Sequence, residues 1–151
     1  MDQACEFFEF FRQSKAPSTV QWETFFPVAH ERYALIQEEV EELHQALNNR
    51  DKVEIADALG DTLYVVYGMC VEAGLDIQTI YERIHASNMS KACNTIQEAK
   101  ETIQWYVDQQ KLGSLQDATI IPHQGKYIVK TLQGKILKSK YYTPVVLDDL
   151  V

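Results

Sequence analysis

Apolar residues recur every three or four positions over most of the first 110 residues, which predicts a series of amphipathic helices. We predict helices over about 3–13, from near Pro27 to Asn48, from Asp51 to Gly74, from Asp76 to about Ala86, and from Thr95 to about Gln110. Aspartate is a favoured N-cap residue, and glycine is a natural helix stop. The predicted fold class is all-α, with an antiparallel four-helix core.

The pattern changes after Gly113, where short runs of β-branched and aromatic residues flank the dipeptide Gln133-Gly134. This favours a small β-hairpin, with 126–131 against 135–138. No repeat or linker divides the chain, so we expect one domain over 1–151. Its core would cover about 1–93, an added helix about 95–110, and a hairpin tail about 118–143.

The net charge of -8 argues against binding to a nucleic acid polymer, because phosphate backbones are held by clustered Lys and Arg. The three cysteines are odd in number and lack CxxC spacing, which fits free thiols in the cytoplasm. The N-terminal stretch lacks the basic start of a signal peptide, and no run of about 18 apolar residues predicts a membrane span. We therefore expect a cytoplasmic protein that does not bind membranes.

The stretch "QEEVEEL", residues 37–43, holds four carboxylates in five positions, and no Lys or Arg lies three or four residues from them. Like charges at that spacing destabilise a helix. Glu38, Glu39 and Glu42 share one helical arc of about 100°, while Glu41 lies on its flank and is left to solvent.

The third predicted helix is apolar almost all round, yet Glu54, Asp57 and Asp61 form an acidic stripe along it. Two antiparallel helices joined by a short turn would bring this stripe against the acids of the second helix. Hard oxygen ligands suit Mg²⁺ or Mn²⁺, and Mg²⁺ suits a substrate that supplies phosphate oxygens. The sequence thus predicts a metal site that handles phosphates.

Three motifs in order, "EEVEEL", "EIADALGDTLYVVYG" and "SNMSK", resemble the all-α nucleoside triphosphate pyrophosphohydrolases of the MazG-like superfamily. The nearest branch is the dUTPase-like and phosphoribosyl-ATP pyrophosphohydrolase-like group, and the resemblance covers residues 30–93. It implies hydrolysis between the α and β phosphates to a nucleoside monophosphate and pyrophosphate. The substrate would be a nucleoside triphosphate such as dUTP or a non-canonical nucleotide.

The resemblance also implies roles for individual residues. It implies that four acids bind Mg²⁺, namely Glu39, Glu42, Glu54 and Asp57. It also implies that Glu38 is a further acid that holds another ion or activates water. It makes Asn88 and Lys91 contacts to the phosphates or sugar. The stretch "GKILKSKYYTP" resembles the branch's C-terminal tail, which suggests a flap over the polyphosphate. Further candidates are Asp61, Tyr64 and Lys138.

Other interpretations stay open. Glu54 could merely close a capping box with Asp51, and Asn88 could merely end the fourth helix. The paired ExxH patterns of Glu41/His44 and Glu82/His85 suggest a di-iron bundle. Phosphoribosyl-ATP hydrolysis and non-catalytic nucleotide binding are also compatible with the motifs. Phe7 or Phe10 could supply an aromatic wall for a base. The apolar third helix favours a homodimer, or a tetramer.

Overall fold

The computed structural model describes residues 2–12 and 16–151. Over these residues the chain forms five α-helices and one three-stranded antiparallel sheet near the C-terminus. The helices are α1 (Asp2–Arg12), α2 (Trp22–Asn49), α3 (Lys52–Ala73), α4 (Ile77–Met89) and α5 (Ile96–Asp108), and the strands are β1 (Ala118–His123), β2 (Lys126–Thr131) and β3 (Ile136–Leu137). The predicted class, helical with a small C-terminal hairpin, is confirmed. The predicted end of the first helix at residue 13 lies outside the described residues.

The chain divides into two compact units. The first holds the residues up to Ile80 together with Asp148–Val151, and the second holds Tyr81–Leu147. The first unit therefore contains α1, α2, α3 and the start of α4. The second contains the rest of α4, α5 and the sheet.

The helix pair α2 and α3 dominates the first unit, and local chemistry sets its turn. Arg50 ends α2 in the left-handed region, with φ of 56°. Asp51 then caps α3, because its Oδ1 accepts hydrogen bonds from the backbone N–H groups of Val53 (3.0 Å) and Glu54 (3.2 Å). Since this turn is so short, the two helices run antiparallel and pack along each other.

The far end of α3 requires a glycine. Gly74 has φ of +73°, and a Cβ atom there would lie 2.1 Å from the carbonyl oxygen of Thr19. A larger residue would therefore meet both backbone strain and a steric clash. The prediction that α3 ends at this position is confirmed.

The predicted start of α2 near Pro27 is wrong, because the helix begins five residues earlier at Trp22. Aromatic packing explains the extra turn. Phe25 is buried, and the rings of Trp22 and Phe26 stack with centroids 5.6 Å apart. These contacts hold helical structure upstream of the proline, although proline removes one backbone donor.

The sheet contains the predicted hairpin and one strand that the sequence pattern missed. Val129 pairs with Leu137, as the prediction of 126–131 against 135–138 requires. The additional strand β1 pairs along β2 through the two-residue turn Gln124-Gly125, in which both φ angles are positive. Its Pro122 is tolerated because β1 lies at the edge of the sheet.

Each unit has its own apolar core, but α3 is less buried than its composition predicts. In the second unit Val129 and Cys93 are fully buried. In the first unit Leu59 and Leu63 of α3 remain 49% and 58% exposed within one chain. Part of the apolar surface of α3 is therefore left uncovered within one chain. Across the described residues, the helices are too short or too polar to cross a membrane.

Candidate active site

An acidic face forms where α2 and α3 pack together. Glu39 is half-buried there. Its pKa is raised, first by partial desolvation and then by the negative charges of Glu42, Asp61, Glu38 and Asp57. Three of these five acids lie on α2 and two on α3, and the two helices pack against each other. The helix pair therefore brings together five of the acids that the sequence singles out.

Among the described residues, the charges that act on Glu39 are all negative. No Lys or Arg is among the described groups that perturb Glu39. Within the same part of the chain, no three Asp, Glu, His or Cys side chains converge closely enough to enclose a metal ion. The carboxylates thus repel one another without forming a closed cage. Oxygen donors with unbalanced charge match the needs of a divalent cation such as Mg²⁺.

Glu54 is an exposed residue in the first turn of α3, and its carboxylate does not complete a capping box. The backbone N–H of Asp51, which a capping box would direct to Glu54, donates instead to the carbonyl oxygen of Ala46 at 3.1 Å. The capping interpretation of Glu54 is therefore wrong. Glu54 lies one turn before Asp57, at the end of the acidic face, and it is not among the charges that act on Glu39.

Asn88 and Lys91 lie together in the second unit. The ammonium group of Lys91 donates to the side-chain oxygen of Asn88 at 2.6 Å. Asn88 is inside the last turn of α4, which continues to Met89 instead of ending near Ala86 as predicted. Asn88 does not, therefore, end this helix.

The C-terminal tail is fastened to the end of α4 by two serines that the sequence analysis overlooked. Ser87 donates to the carbonyl oxygen of Thr143 at 2.9 Å, and Ser90 accepts from the backbone N–H of Thr143 at 3.0 Å. The signal for this anchor was present in the motif "SNMSK", where two serines lie three residues apart on one helical face.

The fastened tail brings Lys138 close to Tyr142, with the ammonium nitrogen 4.4 Å from the ring centroid. The pKa of Tyr142 is lowered, first by its hydrogen bond with Ser87 and then by the positive charges of Lys138 and Lys91. The two lysines therefore form a basic cluster around one phenol. Lys140 is engaged elsewhere, in an ion pair with Glu101 at 2.9 Å.

Aromatic side chains stand beside the acidic face in the first unit. Tyr64 lies one turn beyond Asp61 on α3, and its ring meets Phe7 edge to face with centroids 5.6 Å apart. Phe10 is 74% exposed.

Arg32, which was not among the residues singled out from the sequence, also lies beside Phe7 and Tyr64. It lies seven residues before Glu39, which is two turns away on the same face of α2. This spacing could have identified Arg32 from the sequence.

The di-iron interpretation gains no support from the histidines. His44 is exposed on α2, and its ring nitrogen lies 3.1 Å from the side-chain nitrogen of Asn48. His85 is exposed on α4.

Two comparisons with known proteins bear on this site. The family model of phosphoribosyl-ATP pyrophosphohydrolase matches residues 4–88, which is more than half of the chain. A relative from Acanthamoeba polyphaga mimivirus, named only as an uncharacterized protein, is 30% identical over 130 residues. That match covers 80% of this chain and 52% of the relative, so the chain spans about half the length of the relative.

Proposed function

Because the chain belongs to the phosphoribosyl-ATP pyrophosphohydrolase family, within the MazG-like superfamily, we propose that it is a Mg²⁺-dependent nucleotide pyrophosphohydrolase. The reaction converts a nucleoside triphosphate to a nucleoside monophosphate and pyrophosphate. The observation that carries the proposal is the packing of α2 against α3, which places the acids of both helices on one face. The raised pKa of Glu39, caused by desolvation and by the neighbouring carboxylates, agrees with this arrangement. A divalent cation bound at this face would relieve the repulsion between the carboxylates.

The acidic face supplies the groups that this reaction needs. Glu39, Glu42, Glu54 and Asp57 are the proposed ligands of Mg²⁺, with Mn²⁺ as a substitute. When bound by these residues, the ion would supply positive charge to the phosphates and would lower the pKa of water. Glu38, or Glu39 itself, orients the attacking water and takes its proton. The water oxygen bonds to the α-phosphorus, and the bond to the bridging oxygen breaks as pyrophosphate leaves with the electron pair.

The basic cluster of the second unit is the proposed contact for the substrate phosphates. Lys91 and Lys138 supply positive charge, and Asn88 supplies an amide that orients Lys91. Ammonium groups bind phosphate oxygens through charge-assisted hydrogen bonds. The serine anchor on Thr143 would keep Lys138 in place as the flap suggested by the tail sequence.

The substrate class is a nucleoside triphosphate such as dUTP or a non-canonical nucleotide. Phosphoribosyl-ATP contains the same α–β anhydride, and it is the substrate named in the family description. A direct comparison of the two decides between them.

Product analysis in ¹⁸O-labelled water tests the reaction. Purified protein is incubated with Mg²⁺ and one substrate at a time: dUTP, dCTP, dGTP, dATP or phosphoribosyl-ATP. The products are then separated and their masses are measured by mass spectrometry. We expect pyrophosphate together with a monophosphate that carries the label, because water attacks the α-phosphorus. A diphosphate with inorganic phosphate would contradict the proposed bond, and tight binding without turnover would favour a non-catalytic role.

The proposal includes a homodimer. Several large apolar side chains of α2 remain exposed in one chain, including Tyr33 (54%), Val40 (51%) and Leu47 (54%), in addition to those of α3. Exposed apolar surface of this extent marks an interaction site. We expect a species of twice the chain mass of 17.4 kDa in light scattering, whereas a monomer at micromolar concentration would contradict the dimer.

A further inference from the structure

A small cavity lies within the first compact unit, lined by side chains of α1, α2 and α3. Its volume is about 170 Å³, and its walls are largely aromatic, with Phe7 and Tyr64 meeting edge to face. Pockets for drug-sized ligands measure roughly 300–1,000 Å³. The cavity therefore suits one flat ring system and not a whole nucleotide.

Arg32 is the cationic side chain among the described residues that line the cavity. Only 16% of its side chain is exposed, and its Nε–H donates to the carboxylate of Glu72. A guanidinium group has five N–H donors. Within residues 2–12 and 16–151, the four donors on its two terminal nitrogens have no hydrogen-bond partner. No buried side-chain nitrogen or oxygen of the described residues lacks a partner, so these donors are open to solvent. They are therefore available to a ligand that supplies acceptor atoms.

The cavity is well placed to serve the acidic face, which belongs to the same unit. Along α2, Arg32 and Glu39 are seven residues apart, which is roughly 10 Å of helix axis. Along α3, Tyr64 follows Asp61 by one turn. The separation is comparable to the span from the α-phosphate of a nucleotide to the far edge of its base. A nucleotide with its phosphates at the acidic face would thus place its base in the cavity.

We propose that this cavity binds the base of the substrate, and that Arg32 selects bases with a carbonyl group on the edge that faces it. The proposal rests on the proposed function. Uracil and guanine carry such a carbonyl, whereas cytosine and adenine carry an amino group at the equivalent ring position. A guanidinium group donates and cannot accept, so an amino group would meet donors and lose a hydrogen bond. Glu72 holds Nε and thereby fixes the orientation of the planar fork.

The test compares monophosphates that differ at this position, using titration calorimetry in EDTA so that neither metal nor turnover contributes. The pairs are dUMP against dCMP and dGMP against dAMP. We expect the wild type to bind the carbonyl member of each pair roughly 5- to 150-fold more tightly, the discrimination typical of a good bidentate contact. R32K keeps a positive charge near Glu72 but loses the fork, so the preference should fall to about threefold or less.

The thermal stability of R32K decides whether this variant can be used in the test. If R32K melts far below the wild type, the double variant R32Q/E72Q takes its place, because it removes both charges of the partly buried pair together. Equal binding of the two members by the wild type overturns the inference. So does an R32K variant that weakens all four ligands by the same factor.

Turnover of the matching triphosphates with Mg²⁺ separates this inference from the proposed function. If the protein hydrolyses the triphosphates without a carbonyl preference, only the inference about Arg32 is overturned and the proposed function stands. The protein could instead hydrolyse none of the triphosphates and still bind carbonyl bases preferentially. If R32K abolishes that preference, the result supports the role of Arg32 and contradicts the proposed enzymatic activity.

Discussion

Two glycines inside α3 offer a matched pair of substitutions. A Cβ atom at Gly60 would meet nothing within 4 Å, whereas one at Gly68 would lie 3.7 Å from the terminal nitrogen Nη1 of Arg32, which is an ordinary contact distance. Both residues are in the helix interior with no positive φ. Replacing either by alanine should therefore stabilise the protein without steric strain.

The expected magnitude follows from helix propensity. Glycine in a helix interior is less stable than alanine by roughly 0.5–1 kcal/mol. For a chain of 151 residues, one kcal/mol shifts Tm by about 2–4 °C, so each variant should melt about 1–4 °C above the wild type. Circular dichroism melts in EDTA measure this gain in the absence of metal and nucleotide.

The two variants should differ in ligand binding. The methyl group of G68A stands on the wall of the Arg32 cavity, so we expect dUMP affinity to fall about tenfold, an overpacking cost near 1.4 kcal/mol. G60A should leave dUMP affinity unchanged. Equal dUMP binding by the two variants would refute the assignment of the cavity. A lower Tm in G60A would refute the claim that its surroundings are open.

Three further predictions concern the helix cap, the acid range and the tail. D51A should lower the free energy of unfolding by about 1 kcal/mol and Tm by about 2–4 °C, because α3 loses an acceptor for two backbone N–H groups, whereas D51N should stay near the wild type in the same melts. Hydrogen bonds from Lys140 first, and then from Gln97 and Tyr141, lower the pKa of Glu101 from 4.5 to about 2. The ionised Glu101 therefore stabilises the fold fully above pH 4.5, and this contribution is lost as the pH falls towards 2. Acid melts of E101Q should lose the part of the pH dependence in that window, and an unchanged profile would contradict the contact. K138M should raise KM for a triphosphate about tenfold or more, given the strength of hydrogen bonds to charged groups, while K135M on the same tail should not, and equal KM values would contradict the flap.

Local signals explain what the sequence predicted well. The bounds of α3 follow from Asp51 and Gly74, whose preferred backbone conformations and short-range contacts do not depend on the rest of the fold. The meeting of the two acidic stripes follows from the same turn, since a two-residue connection permits few arrangements of the helices.

Features that depend on distant residues escaped prediction. Arg32 and Glu72 are 40 positions apart, and neither is unusual in its own surroundings. The early start of α2 depends on packing of Trp22 and Phe25, which outweighs the local effect of Pro27. The strand β1 is a different case. The Gln124-Gly125 turn is visible in the sequence, but Pro122 is compatible with a strand only at a sheet edge or a bulge, and the edge position of β1 depends on the whole sheet.

The central claim is that the acidic face of α2 and α3 carries Mg²⁺-dependent hydrolysis, and one pair of variants tests it most directly. E39Q and E41Q remove the same charge from the same helix two residues apart, but only Glu39 is half-buried among the other carboxylates. Rates are measured on the triphosphate that the wild type cleaves fastest. We predict a loss of at least about 100-fold for E39Q, typical of removing a catalytic acid or base, and a rate within about twofold of the wild type for E41Q. Near-normal turnover by E39Q, or an equal loss in both variants, would contradict the account.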